Sequence, residues 1–119
     1  MNKKPEFGFI LEYVNDMETA KRFYVEVIGL KVERDSPTFV QFGHFALASD
    51  EAMSASRAPE IYWVVDDAEA ALNDFSRNAE ISLPLRQMPF GKVFGLQDPT
   101  GQAIYFVEFA RTRPSQSVK

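Results

Sequence analysis

The chain of 119 residues has no cysteine, a single histidine, a single tryptophan and only six glycines. Without cysteine there is no disulfide framework, no thiolate nucleophile and no thiolate metal site, which fits a reducing compartment. Basic runs are missing too: 13 Lys and Arg stand against 17 Asp and Glu, a formal charge of -4. Affinity for a phosphate backbone comes from clustered Lys and Arg, so nucleic acid is not an expected partner. A neutral or cationic small molecule suits this balance better. No stretch approaches the roughly 20 apolar residues of a membrane span, and Lys3 and Lys4 are not followed by an apolar run of signal-peptide length. The expectation is therefore a soluble, cytoplasmic protein with no membrane partner. A glycine-rich nucleotide loop, a Cys-His pair and a nucleophile elbow are also absent, most of the glycines belonging to turns.

Apolar content, by contrast, is ample. At 45% hydrophobic with 11 Phe, the chain can build a core for one compact domain over 1–119, or for two small half-units that share it. The small, polar stretch "DEAMSASRAPE" lies near the midpoint and separates two similar segments, 7–50 and 58–110. A shift of 51 residues places Val14 on Val65, Asp16 on Asp67, Glu18 on Glu69, Ala20 on Ala71 and Leu30 on Ile81. The tail "RTRPSQSVK" is polar, carries a proline and is expected to fray.

The same order of elements repeats in both halves. Residues 7–14 alternate and are rich in Phe, Ile, Leu, Tyr and Val, as a strand should be. Asn15 with Glu18 has capping-box spacing, and Asp66 with Glu69 copies it. Met17, Ala20, Tyr24 and Val27 then share one helical face, with Gly29 as a left-handed stop. Ala68, Ala71, Leu72, Phe75 and Ala79 form the matching face of a second helix. Three short strand-like runs follow each helix: "LKVER", "TFVQF" and "HFALAS", then "ISLPLR", "KVFGLQ" and "QAIYFVEF". The turn "DPTG" before the last run presets one backbone angle with Pro and supplies positive φ with Gly. Each half reads as βαβββ, and the fold class as α+β.

A duplicated βαβββ unit that opens with "YVNDMETAKRFYVEVIGL" and closes with "FGLQDPTGQAIYF" resembles the vicinal oxygen chelate superfamily, which includes glyoxalase I, extradiol dioxygenases, fosfomycin resistance enzymes and bleomycin resistance proteins. The resemblance spans about residues 7–109 and implies two modules forming an open, cleft-containing, barrel-like sheet with the helices outside. In metal-dependent members four cavity-facing His, Glu or Gln side chains hold one divalent metal. The first lies five residues before the Val of "V-x-D", which is Phe9 here, and its counterpart in the second half is Glu60. The last lies four residues after the Gly of "DPxG", which is Tyr105, and its first-half counterpart falls at Ala46 or Leu47. Phenyl and alkyl groups cannot ligate a cation, and one good ligand in four does not make a site. The resemblance therefore implies no metal and no cofactor, and is nearest in character to the metal-free bleomycin-resistance branch.

Glu60 is the only candidate catalytic group, either a binder of cations or a general base if burial raised its pKa; otherwise it begins a strand after Pro59 and points to water. Phe9, Tyr13, Tyr62 and Tyr105, with Phe39 and Phe94 from neighbouring strands, are the expected aromatic lining of a ligand cleft around it. His44 after Gly43 is either a base or a plain turn histidine, and Glu108 either a substitute ligand or a strand-end carboxylate. Trp63 alternates with Ile61 and Val65 onto the helix-packing face and is read as core rather than as a stacking platform. Glu12 on the corresponding face of the first strand is odd for a carboxylate. The leading expectation is a metal-independent small-molecule binding protein, for a cationic, aromatic or antibiotic-like ligand, working as a homodimer. A metal-dependent lyase, isomerase or dioxygenase of the glyoxalase I kind is the alternative, with metal-free acid-base catalysis at Glu60 and a cleft filled by the protein's own side chains as further readings.

Overall fold

The computed structural model describes residues 4–50 and 58–110. The tail expected to fray and most of the midpoint linker read from the sequence lie outside these residues. The chain divides into two compact units, residues 6–63 and residues 64–119 with 1–5. Both mix helix and strand, as an α+β fold requires.

The first unit runs β1 (Glu6–Tyr13), α1 (Met17–Arg22), a π-helical turn (Phe23–Ile28), β2 (Arg34–Asp35), β3 (Phe39–Gln41), β4 (Phe45–Ala48) and β5 (Glu60–Val64). Its strands lie in the order β2-β3-β4-β1-β5. β1 runs parallel to β4, with Leu11 beside Ala46 and Tyr13 beside Ala48, while β3 is antiparallel to both β2 and β4. Cross-strand neighbours share a face, so Leu11, Tyr13, Phe39, Gln41, Ala46 and Ala48 look one way and Glu12, Val40 and Leu47 the other. The second face carries the helix: Val40, Phe42 and Leu47 are buried there beneath Val14, Met17, Ala20, Tyr24, Leu30 and Val32.

Helix α1 starts one residue later than the capping-box spacing suggests. The N-cap is Asp16, in extended backbone, whose Oδ1 accepts the Thr19 amide at 3.2 Å while the Thr19 hydroxyl donates to Oδ2 at 2.9 Å. Asp67 caps the second helix in the same way, accepting the Ala70 amide at 3.1 Å. In both helices the aspartate carboxylate accepts the amide of the third residue on, which sets the frame one residue later than Asn15 and Asp66. The end of the helix also departs from a plain α reading. The Tyr24 carbonyl accepts the amides of both Gly29 and Leu30, at 3.0 and 2.9 Å, and Gly29 has φ 91°, the left-handed stop expected of it. This widening rotates Val27 out of the face that Met17, Ala20 and Tyr24 share, leaving it 68% exposed.

The second unit carries α2 (Ala68–Phe75) and an antiparallel meander, β6 (Glu80–Met88), β7 (Gly91–Gln97) and β8 (Ala103–Phe109), in the order β8-β7-β6. Ala68 and Ala71 are the buried residues of α2, and its Phe75 packs on Phe106 with ring centroids 5.4 Å apart. β6 lies at the edge and contains Pro84, and its pairing with β7 shifts register twice, between Ile81 and Leu83 and again before Arg86. Gly91 has φ 151°, and a Cβ there would run into the Glu108 carbonyl and the Phe109 Cα, so this crossing tolerates only glycine.

Candidate functional site

Glu60 opens β5 and does not point to water: it is 3% exposed, the one buried charged residue among those described. Removing a carboxylate from water costs several kcal/mol unless hydrogen bonds replace the lost hydration, of the order of ~1.5–3 kcal/mol for each bond to the charged group. Two tyrosines supply them. The Tyr13 hydroxyl donates to Glu60 Oε1 at 2.8 Å and the Tyr62 hydroxyl donates to the same oxygen at 3.1 Å. Tyr62 is completely buried, Tyr13 half-buried. Burial first, then the neighbouring Tyr13 and Glu60, push the Tyr62 phenol far above its ordinary range, so Tyr62 stays a donor at every accessible pH.

Apolar rings enclose this polar centre. Phe9 stacks on Tyr62 with centroids 5.1 Å apart and planes 17° from parallel, and Phe39 meets Phe9 edge-on at 5.6 Å. The rings from β1 and β3 touch although β4 lies between them, because β4 presents only Ala46 and Ala48 on that face. Five residues expected in a cleft lining, Phe9, Tyr13, Phe39, Glu60 and Tyr62, are thus brought together in one unit.

Gln41, which the sequence did not single out, shares this face. Its amide nitrogen donates to the Gly43 carbonyl at 2.7 Å, which fixes the orientation of the carboxamide. Its Oε1 is buried and has no hydrogen-bond partner among the described residues. A buried acceptor left unpaired costs about 1–3 kcal/mol, so a donor reaching this oxygen would be favoured.

Tyr105 and Phe94 belong to the second unit and part company there. Tyr105 sits opposite Gly95, and a Cβ at Gly95 would lie 3.1 Å from the Tyr105 ring and 2.7 Å from the Ser82 hydroxyl; the glycine therefore makes room for the ring. Phe94 pairs with Phe106 instead, stacked at 4.9 Å and 8°, on the face that meets Phe75 of α2. Alternation along β7 sends neighbours to opposite faces, so Phe94 is a core residue and does not share a surface with Tyr105.

The remaining candidates have local partners. Glu108 Oε1 accepts the Ala68 amide at 2.9 Å, adding a second carboxylate beside Asp67 at the positive end of α2. Glu12, puzzling on a helix-packing face, accepts the Tyr24 hydroxyl at 2.8 Å, and that bond holds the Tyr24 phenol above its usual pKa. The exposed His44 places Nδ1 2.8 Å from the Gly8 carbonyl, which makes that nitrogen the donor, and stacks on Phe7 at 5.3 Å. Trp63 is half-buried and meets Phe7 edge-on at 5.5 Å.

The order of elements along the chain is βαβββ twice over. The family model for the glyoxalase/bleomycin resistance protein/dioxygenase superfamily matches residues 7–106, and the chain belongs to that superfamily. Among solved structures, a protein from Legionella pneumophila described as an NAD-dependent benzaldehyde dehydrogenase is 24% identical over 87% of this chain and 99% of its own, with a TM-score of 0.69. A superfamily member from Vibrio splendidus 12B01 is 21% identical over 88% of this chain and 99% of its own, TM-score 0.59. Homoprotocatechuate 2,3-dioxygenase from Brevibacterium fuscum is 16% identical, TM-score 0.54; the match covers 90% of this chain and 34% of the dioxygenase. At these identities the likeness is one of fold. A comparison with curated proteins found no match.

Metal-dependent members of such a family raise the question whether these side chains fit a metal. They do not. Among the described residues no group of three or more His, Cys, Asp or Glu is placed to hold one. Phe9 and Ala46 offer no lone pair, Glu108 is engaged at a helix end, and His44 lies at an exposed turn. Zinc and its neighbours want at least three protein donors.

Proposed function

We propose that the protein is a metal-independent small-molecule binding protein of the glyoxalase/bleomycin resistance type, which takes a cationic or aromatic ligand carrying hydrogen-bond donors. The observation that carries this reading is the buried Glu60 carboxylate among Phe9, Tyr13 and Tyr62. A carboxylate beside stacked aromatic faces attracts a cation both directly and through the ring quadrupoles. Gln41 Oε1 adds a neutral acceptor on the same face, suited to an N–H or O–H of the ligand. The half-buried Tyr13 is the member of the network that an incoming donor displaces from Glu60 most readily. A chemical step is not required by any of these contacts.

The test is a thermal-shift screen of the purified chain against divalent metals and cationic aromatic compounds, with chelator-treated protein as reference. A ligand at a hundred times its Kd stabilises the native state by about 2.7 kcal/mol. Stabilisation by an organic cation, unchanged by chelator and lost in Glu60→Gln while the fold is kept, is the expected result. Stabilisation by a metal that chelator reverses would overturn the reading and send the work to an enzyme assay.

A further inference from the structure

Gln41 and Glu60 belong to the same unit and share a face, yet they stand on strands that are not neighbours: β4 and β1 lie between β3 and β5. At about 4.8 Å from strand to strand, the two backbones are roughly 14 Å apart. Side chains stand roughly perpendicular to a sheet, so the polar heads keep a similar spacing. The ground between them is apolar. Leu11, Ala46 and Ala48 are buried there, and the rings of Phe9 and Phe39 meet across β4.

The two acceptors differ in kind. Glu60 is a carboxylate and offsets the charge of a cation brought out of water. Gln41 is a neutral amide whose nitrogen is committed to the Gly43 carbonyl, which leaves Oε1 without a partner among the described residues. A second cation beside Gln41 would lose its hydration and gain only a dipole, so a neutral N–H or O–H suits that end. A ligand with the cation alone would leave Gln41 Oε1 as unpaired as before, and one with both ends complete satisfies it. A donor atom sits about 2.9 Å from its acceptor, so the ligand's two donors are separated by roughly 8 Å.

We propose that Gln41 sets the specificity of the site, selecting an aromatic amine whose ammonium group pairs with Glu60 and whose neutral hydroxyl or N–H, at the far end of the ring, donates to Gln41 Oε1. This rests on the reading of the Glu60 face as a ligand site, and goes beyond it in fixing the ligand's neutral end and its length.

Calorimetric titration of the full chain with three matched amines tests it: phenethylamine, its para-hydroxy derivative tyramine, and the O-methyl ether of tyramine, which keeps the oxygen but donates no hydrogen bond. Tyramine should bind at least about tenfold more tightly than either of the others. In Gln41→Met, whose thioether is a weak acceptor, that preference should disappear while phenethylamine keeps its affinity within about threefold, which also shows that the variant is folded. In Glu60→Gln all three amines should weaken at least about tenfold. Equal affinities in the wild type, or a preference for tyramine that survives Gln41→Met, would overturn the proposal and leave the Glu60 reading standing. Failure of all three amines to bind, or binding indifferent to Glu60→Gln, would remove that reading and the proposal with it.

Discussion

Replacing Tyr62 by Phe removes one oxygen from the centre of the site and leaves the ring that stacks on Phe9. No cavity larger than a hydroxyl forms, so packing changes little, and the loss falls on the Glu60 carboxylate. A hydrogen bond to a charged group contributes about 1.5–3 kcal/mol. The Tyr62 bond, at 3.1 Å, is long for a hydroxyl-carboxylate pair, which puts it at the lower end, about 1.5 kcal/mol. Tyr13 donates at 2.8 Å but from a half-buried position where water can replace it, so Tyr13→Phe should cost about 1 kcal/mol. Both donors act on one oxygen. When either is gone the other is held more tightly, and the double replacement should cost more than the sum of the two by about 0.5–1 kcal/mol. Urea denaturation of the four proteins, with m-values checked for constancy, measures every corner of the cycle. Additive losses below about 0.5 kcal/mol each would mean that the two hydroxyls do not hold Glu60, and would remove the physical basis for a preformed carboxylate site.

Other consequences are equally direct. Gln41→Met removes the unpartnered Oε1 and should leave stability equal or raise it by about 1 kcal/mol while abolishing ligand-induced stabilisation, a trade-off read in one set of melting curves. Gly95→Ala should cost about 1–3 kcal/mol in urea, because its Cβ would press on Ser82 and the Tyr105 ring. Asp67→Ala should cost about 1 kcal/mol in urea, because the Ala70 amide loses its acceptor at the start of α2. In alkali, Tyr24 and Tyr62 both have raised pKa values, so the stability linked to them is complete below pH about 10 and is lost as pH rises through their folded values. Phenolate absorbance should show Tyr62 ionising only together with unfolding.

Much of this was legible in the sequence because the signals were local. Alternation over 7–14 and the shift of 51 residues locate the strands and the duplicated plan, and the position of Glu60 relative to Val65 singles it out before any geometry. What escaped needed a partner distant in sequence or a change of helical period. Glu12 looked misplaced because its phenol partner, Tyr24, is 12 residues on, although both stood on faces that must meet. Glu108 is explained by an amide 40 residues away. Val27 followed an α-helical period that the chain abandons at Phe23. Phe94 was grouped with Tyr105 by residue type, while parity along β7 assigns it to Phe106. Gln41 carries no motif at all; only the pairing of its amide with Gly43 shows that its oxygen is left over.

The edge strand β6 has a bearing on how the chain fares when crowded. An incoming strand propagates along an edge only where donors and acceptors repeat at regular intervals. Pro84 removes one donor, and the pairing of the strand with β7 is irregular both before Leu83 and across Pro84 itself. The apolar segment around Ile81–Leu85 thus lacks the unbroken ladder that a strand of another copy would need in order to add to this edge.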